Sequence, residues 1–169
     1  ISADGTRLVY SASKDGVSPL FTQRLGERTA TPIAGTEGAN RAFLSPDGRW
    51  VGFSTENKLK KVPIDGGTPV DIGTSDWGGG SWGADNRIVY SKSYQDGLWE
   101  VDASGGPERR LTAPDTARGE LAHWWPQVLP DQDHILFTAY RGAGGSTIEV
   151  YSRTSKARTV LVEGGVFGR

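Results

Sequence analysis

Residues 79–83 read Gly-Gly-Ser-Trp-Gly, the G-x-S-x-G spacing that presents a serine at a sharp turn as a nucleophile. That chemistry needs a strand before Ser81, a helix after it, and an acid and a histidine further along. Here the turn Ala84-Asp85-Asn86 follows, and then a short apolar run over 87–91. Gly78, Gly80 and Gly83 also fit a dinucleotide fingerprint, which again demands a following helix whose N-terminus meets the pyrophosphate. Neither motif has its helix. The chain has no cysteine and only two histidines, His123 and His134, so thiolate metal sites, disulfides and cysteine nucleophiles are excluded. Asp131 and Asp133 offer two carboxylates where calcium takes about six or more oxygens. The expectation is therefore no catalytic residue, no metal and no cofactor, with Ser81 an ordinary strand position and His134 a solvent-edge residue at a strand start.

The elements around these residues recur. Residues 3–11 (ADGTRLVYS), 46–54 (PDGRWVGFS), 84–91 (ADNRIVYS) and 130–138 (PDQDHILFT) each pair an Asp turn with an apolar run that ends in an aromatic and a hydroxyl. Proline fixes φ in such a turn and Gly or Asn accepts a positive φ. A second, alternating run follows at 20–25, 59–64, 98–102 and 148–152, and a third at 31–33, 69–72, 109–112 and 158–162. Glycine pairs at 66–67 and 105–106 mark hairpins between them. A fourth element precedes the later turns at 41–45, 80–84 and 125–130. Four antiparallel strands repeating every forty residues or so predict an all-β fold, a β-propeller of about four blades, forming a partial or self-associating ring. The blades fall near 1–40, 41–79, 80–122 and 123–163, and 164–169 starts or completes another. Gly80, Ser81, Gly83 and Ala42 suit the crowded innermost strand, and Trp50, Phe53, Tyr90 and Phe137 are expected as core between blades.

Composition agrees. Twenty-four Gly and nine Pro are too many for a helical bundle, and six Trp, five Tyr and five Phe are too many for a disordered chain. Nineteen basic against 20 acidic side chains give a net charge of -1, with no footprint for nucleic acid or an anionic membrane. The longest apolar runs are only a few residues, so no segment is expected to insert in a bilayer. The chain opens on Ile1 with no leader and contains no Met, which suggests a piece cut from something longer.

The stretch Ser45-Pro46-Asp47-Gly48-Arg49-Trp50, with Ile64-Asp65-Gly66-Gly67, Val101-Asp102-Ala103-Ser104-Gly105-Gly106 and Arg110-Leu111-Thr112, resembles the TolB-like β-propeller family, which is WD-repeat-like. Residues 35–39, 58–63, 79–83 and 125–131 are similar to the propellers attached to bacterial membrane-anchored serine/threonine protein kinases. The resemblance implies an extracytoplasmic, periplasmic or cell-surface, sensing module that is not itself an enzyme. The departures are Ala3 and Ala84 for Pro, Asn86 for Gly, and Gln132-Asp133 where Gly is expected. Such propellers also occur fused to prolyl-oligopeptidase-type hydrolases, so a second reading is the non-catalytic propeller that gates access to one.

Residues 73–80 and 113–124 both lead from an outer strand to the next inner one, so both open on one face of the ring. Trp77, Tyr94, Arg118, His123 and Trp124 are the candidate ligand-binding residues of that face, for a protein or small-molecule partner. The plainer alternative is that Trp124 or Trp125 caps the core and Trp77 packs on a neighbouring blade. The segment 164–169 aligns with the inner strands, so two copies could complete an eight-bladed ring as a homodimer.

Overall fold

An aspartate and a left-handed residue build the turn that opens each repeat, and in the first two a serine joins them. In the computed structural model, which describes residues 1–13, 18–76 and 79–166, the Ser2 hydroxyl donates to Asp4 Oδ1 at 2.5 Å and accepts the Arg7 N–H at 2.9 Å. Ser45 does the same with Asp47 and Trp50, at 2.5 and 2.9 Å. Gly5, Gly48, Asn86 and Gln132 take φ values of 69°, 67°, 62° and 60° at one shared position. The departures at Asn86 and Gln132 therefore change the residue and keep the turn, because the left-handed region is open to amide side chains at modest cost.

From these turns run four antiparallel sheets. The first has three strands, β1 (Arg7–Ser11), β2 (Leu20–Arg24) and β3 (Thr31–Pro32). The second has β4 (Asn40–Leu44), β5 (Trp50–Thr55), β6 (Lys58–Pro63) and β7 (Val70–Thr74). The third has β8 (Gly80–Trp82), β9 (Arg87–Ser91), β10 (Leu98–Asp102) and β11 (Arg109–Arg110), and the fourth β12 (Ala122–Val128), β13 (His134–Tyr140), β14 (Ser146–Ser152) and β15 (Arg158–Glu163). In all of them sequence neighbours pair, so short turns suffice.

The buried side chains fall into three clusters, each between adjacent sheets. Leu20 and Ile33 of the first meet Val51, Phe53 and Val62 of the second. Leu59 and Ile72 meet Ile88, Tyr90 and Val101, and Val89 and Leu98 meet Ile135, Phe137 and Tyr151. Phe53, Tyr90 and Phe137 are fully buried, as the repeat predicts. Trp50 departs from that expectation. Its ring is only half-buried and Lys61 Nζ lies 4.7 Å above it, because it stands at the open end of β5, beside the turn face.

The inner strands pack in the order β4, β8, β12. A Cβ on Gly80 would lie 2.9 Å from the Phe43 ring, which is the crowding anticipated there. Ser81 Oγ accepts the Val128 N–H at 2.9 Å and joins β8 to β12 across two sheets. A buried hydroxyl also fastens the second strand of two repeats: Thr36 accepts the Leu20 N–H and Thr112 the Leu98 N–H, both at 2.9 Å.

Candidate binding face

Three inner-strand residues share a backbone anomaly. Arg41, Gly79 and Trp125 stand three residues before Leu44, Trp82 and Val128, and their φ values are 51°, 81° and 54°. Register shifts between Asn40 and Phe43 in β4 and between Trp124 and Gln127 in β12 mark bulges at two of these positions. A positive φ on a bulky residue costs about 1–3 kcal/mol, and a bulge re-aims the side chain it carries. Successive side chains of a regular strand point to opposite faces. The bulge at Trp125 instead leaves the Trp124 and Trp125 rings 5.5 Å apart, edge to face.

Around this pair an aromatic shelf forms at the mouth of the inner strands. Tyr140, which ends β13, stacks on Trp124 at 4.2 Å, and the ring of Tyr94, 44% exposed, lies 5.0 Å from Trp124. Trp124 is itself nearly buried, and its indole N–H donates to the Tyr94 carbonyl at 3.2 Å. The His123 N–H donates to the Asp96 carbonyl at 2.9 Å, which fixes the loop 92–97 to β12.

His123, next to Trp124 in β12, belongs to a buried charge network. Arg158 reaches Glu120 Oε1 and Glu149 Oε2, each at 2.8 Å, and both glutamates are removed from solvent. The Asp115 N–H donates to Glu120 Oε2 at 2.8 Å, so the segment 113–121 is clasped to β14 and β15. His123 completes the network. Its Nδ1 is 2.7 Å from Thr112 Oγ1 and its Nε2 is 3.1 Å from Glu120 Oε2. The Glu120 carboxylate can only accept, so Nε2–H donates to it, and the lone pair left on Nδ1 of the neutral imidazole accepts the Thr112 hydroxyl proton. Burial pushes the imidazole below its ordinary pKa, against the pull of Glu120. Burial also acts to raise Glu120, but bonds from His123, Arg158 and the Asp115 N–H together hold it well below the carboxylate range.

Of the residues expected on this face, Tyr94 and Trp124 meet. His123 does not line it: the side chain is fully buried against Phe137, centroid to centroid 4.8 Å, and both ring nitrogens are engaged. Arg118 is at the rim, on a 3-10 turn (Thr116–Arg118), 3.6 Å from both Glu120 and Glu149. Trp77 lies outside the described residues. Trp125, Tyr140 and the Arg158 network were not anticipated. The doubled tryptophan at 124–125 was the available signal, because two large rings cannot both face inward from a regular strand. On the opposite face, His134 is bonded to Asp131 at 2.7 Å, and that bond raises its pKa. Asp133 is taken up by Ser152 and Thr154.

No family model matches the chain. A cell division protein, FtsZ 2 of Halobacterium salinarum, is 31% identical over 117 residues, which are 68% of this chain and 28% of that protein. Among solved structures, TolB from Acinetobacter baumannii superposes with a TM-score of 0.77 at 15% identity, over 95% of this chain and 41% of that one. A putative TolB from Agrobacterium tumefaciens gives 0.75 at 21% identity, over 96% and 60%. A prolyl endopeptidase gives 0.67 at 12%, over 95% and 28%. The chain thus spans less than two thirds of each of these four proteins. The shared feature is the fold, an all-β propeller architecture of the TolB-like kind.

Proposed function

We propose that the chain is a non-enzymatic binding or sensor segment of a larger bacterial propeller protein, working outside the cytoplasm, of the kind attached to receptor-type serine/threonine kinases. The observation that carries this is the shelf of Tyr94, Trp124, Trp125 and Tyr140, held rigid by a strained bulge above a buried ion network. Rigid aromatic surface binds rings and apolar groups at low entropic cost. The hydroxyl and imidazole that catalysis would need are spent on structure: Ser81 on the Val128 N–H, His123 on Thr112 and Glu120. Exposed Tyr10 and Leu25 on the first sheet, and Leu161 and Val162 on the last, suit cover by further blades or by a second copy. The likeness to a prolyl endopeptidase supports the alternative of a gating propeller on a hydrolase.

An aromatic fragment screen read by protein NMR tests the face. Hits should move the Trp124 and Trp125 indole signals, and Tyr94→Ala should weaken them by about tenfold. Hits clustered elsewhere would place the site elsewhere. Ser81→Ala should change no ester turnover, because none is expected. It should cost about 1–3 kcal/mol in chemical denaturation, by orphaning the buried Val128 N–H. Esterase activity that vanishes in this variant would overturn the non-enzymatic reading.

A further inference from the structure

One contact rule generates all three apolar clusters. Each sheet turns the aromatic of its repeat back to the sheet before it, and turns forward the leucine that pairs with the residue closing the aromatic's strand. Phe53 thus meets Leu20, Tyr90 meets Leu59 and Phe137 meets Leu98. Among the described residues no sheet precedes the first or follows the last, and two faces stay bare. At the aromatic position Tyr10 is 37% exposed, where its three counterparts are at 0%. Leu25, five residues past Leu20, is 51% exposed, whereas Ile64 and Ala103, five past Leu59 and Leu98, are at 5% and 1%. On the forward face of sheet four, Leu161 occupies the register shift that Ile72 occupies in sheet two, at 54% against 3%.

The two bare faces match each other. Across a groove, the forward position two residues past the leucine opposes the backward position five past the leucine of the next sheet. Between sheets three and four these are Glu100 and Arg153, an ion pair at 2.9 Å. In sheet four the forward position is Val150, and in sheet one the backward position is Leu25, so apolar would meet apolar. A sheet with arginine at the backward position, as sheet four has, would bury it unpaired against Val150. Ile148 stands at the leucine position and Leu161 at that of Ile72, a seat for Tyr10 of the kind that Leu59 and Ile72 give Tyr90. The Tyr10 hydroxyl donates to Gln23 Oε1 at 3.2 Å, so the ring can be covered without orphaning its polar end.

We infer that these faces form an interface between two copies of this chain, the last sheet of each packed on the first sheet of the other. A head-to-tail contact made once leaves two faces bare, and made reciprocally by two copies it covers all four. The closed form is a ring of eight sheets whose two intermolecular grooves repeat the rule of the internal ones. Apolar faces of this kind mark association surfaces, and Val150 against Leu25 gives the uncharged centre that interface cores have. Further blades of a longer chain would put no constraint on Val150 and Leu25 to complement each other, whereas a second copy requires it. The interface is separate from the aromatic shelf.

Sedimentation velocity of the full chain should show a discrete dimer that dissociates on dilution. Leu25→Glu and Val150→Lys should each weaken it by about tenfold or more, since either charge then faces an apolar partner in both contacts. Their equimolar mixture should recover the dimer. One contact is then wild type, and the other sets the new carboxylate against the new ammonium, as Glu100 meets Arg153. Circular dichroism checks that both variants fold, and Leu161→Lys, on the exposed outer strand, replaces Val150→Lys if that one does not. Tyr94→Ala should leave the dimer intact. A chain that stays monomeric at every concentration would mean that further blades cover these faces, and the inference falls. Assemblies that grow past the dimer, a dimer that withstands either variant, or a mixture no more associated than its components would each overturn it too. Weak fragment binding at the shelf would instead count only against the function proposed above.

Discussion

Replacing Arg158 by methionine is expected to destabilise the chain by about 3–5 kcal/mol, read as a shift of the denaturation midpoint at neutral pH. The guanidinium is the closest cation to two carboxylates removed from solvent, Glu120 and Glu149, and its loss leaves Glu120 only the bonds from His123 and the Asp115 N–H and Glu149 the one from Thr147. Arg118 and Arg141 stand no closer than 3.6 and 3.8 Å to them and cannot make up the loss. A pH effect follows from the same groups. The His123 pKa is lower folded than unfolded, so the unfolded chain takes up the proton first, and stability falls as pH drops through the ordinary value of 6.5. Glu120, also depressed, adds a second loss as pH falls through its ordinary 4.5. Wild-type protein should thus lose stability steadily on acidification. Arg158→Met should lose less over the lower part of that range, since one source of the Glu120 depression is gone. A midpoint shift below about 1 kcal/mol would mean that the network relaxes around the substitution.

Gly97→Ala should cost on the order of 3 kcal/mol. A Cβ there would stand 1.9 Å from the Thr112 carbonyl oxygen and 2.6 Å from its carbon. These are backbone atoms, and Thr112 is held by its bonds to Leu98 and His123, so nothing nearby can swing aside. Gly144→Ala is the control. The nearest atom to its Cβ would be Arg141 Cβ at an ordinary 3.5 Å, and little change in the midpoint is expected. Equal midpoints for the two variants would show that the loop 92–97 can move away from β11.

Local chemistry explains which features could be read in advance. The four turns were legible because Asp4, Asp47, Asp85 and Asp131 bond to N–H groups two or three residues on, inside one short motif. Phe53, Tyr90 and Phe137 were legible because a strand's inward position recurs with the repeat. The charge network was not, since Arg158 and Glu120 lie 38 residues apart and nothing in either segment names the other. His123 read as a surface residue because it follows a polar loop, while its burial is decided by Thr112 and Phe137. Trp50 was misread in the other direction, because its repeat position is close to the inward pattern but lies at the strand end, where the neighbouring sheet no longer covers it. The bulge at Trp125 leaves a single mark, the adjacent tryptophans 124 and 125 that break the alternation of a regular strand.

Because every apolar cluster straddles two sheets, no sheet owns a core, and the molecule is a chain of couplings between neighbours. Heritable change in length is then constrained to whole repeats. Insertion of one complete unit replaces one interface by two and can keep every sheet face covered, whereas loss of half a unit leaves faces bare. Length changes by entire modules are therefore the ones this architecture can absorb with its cores intact.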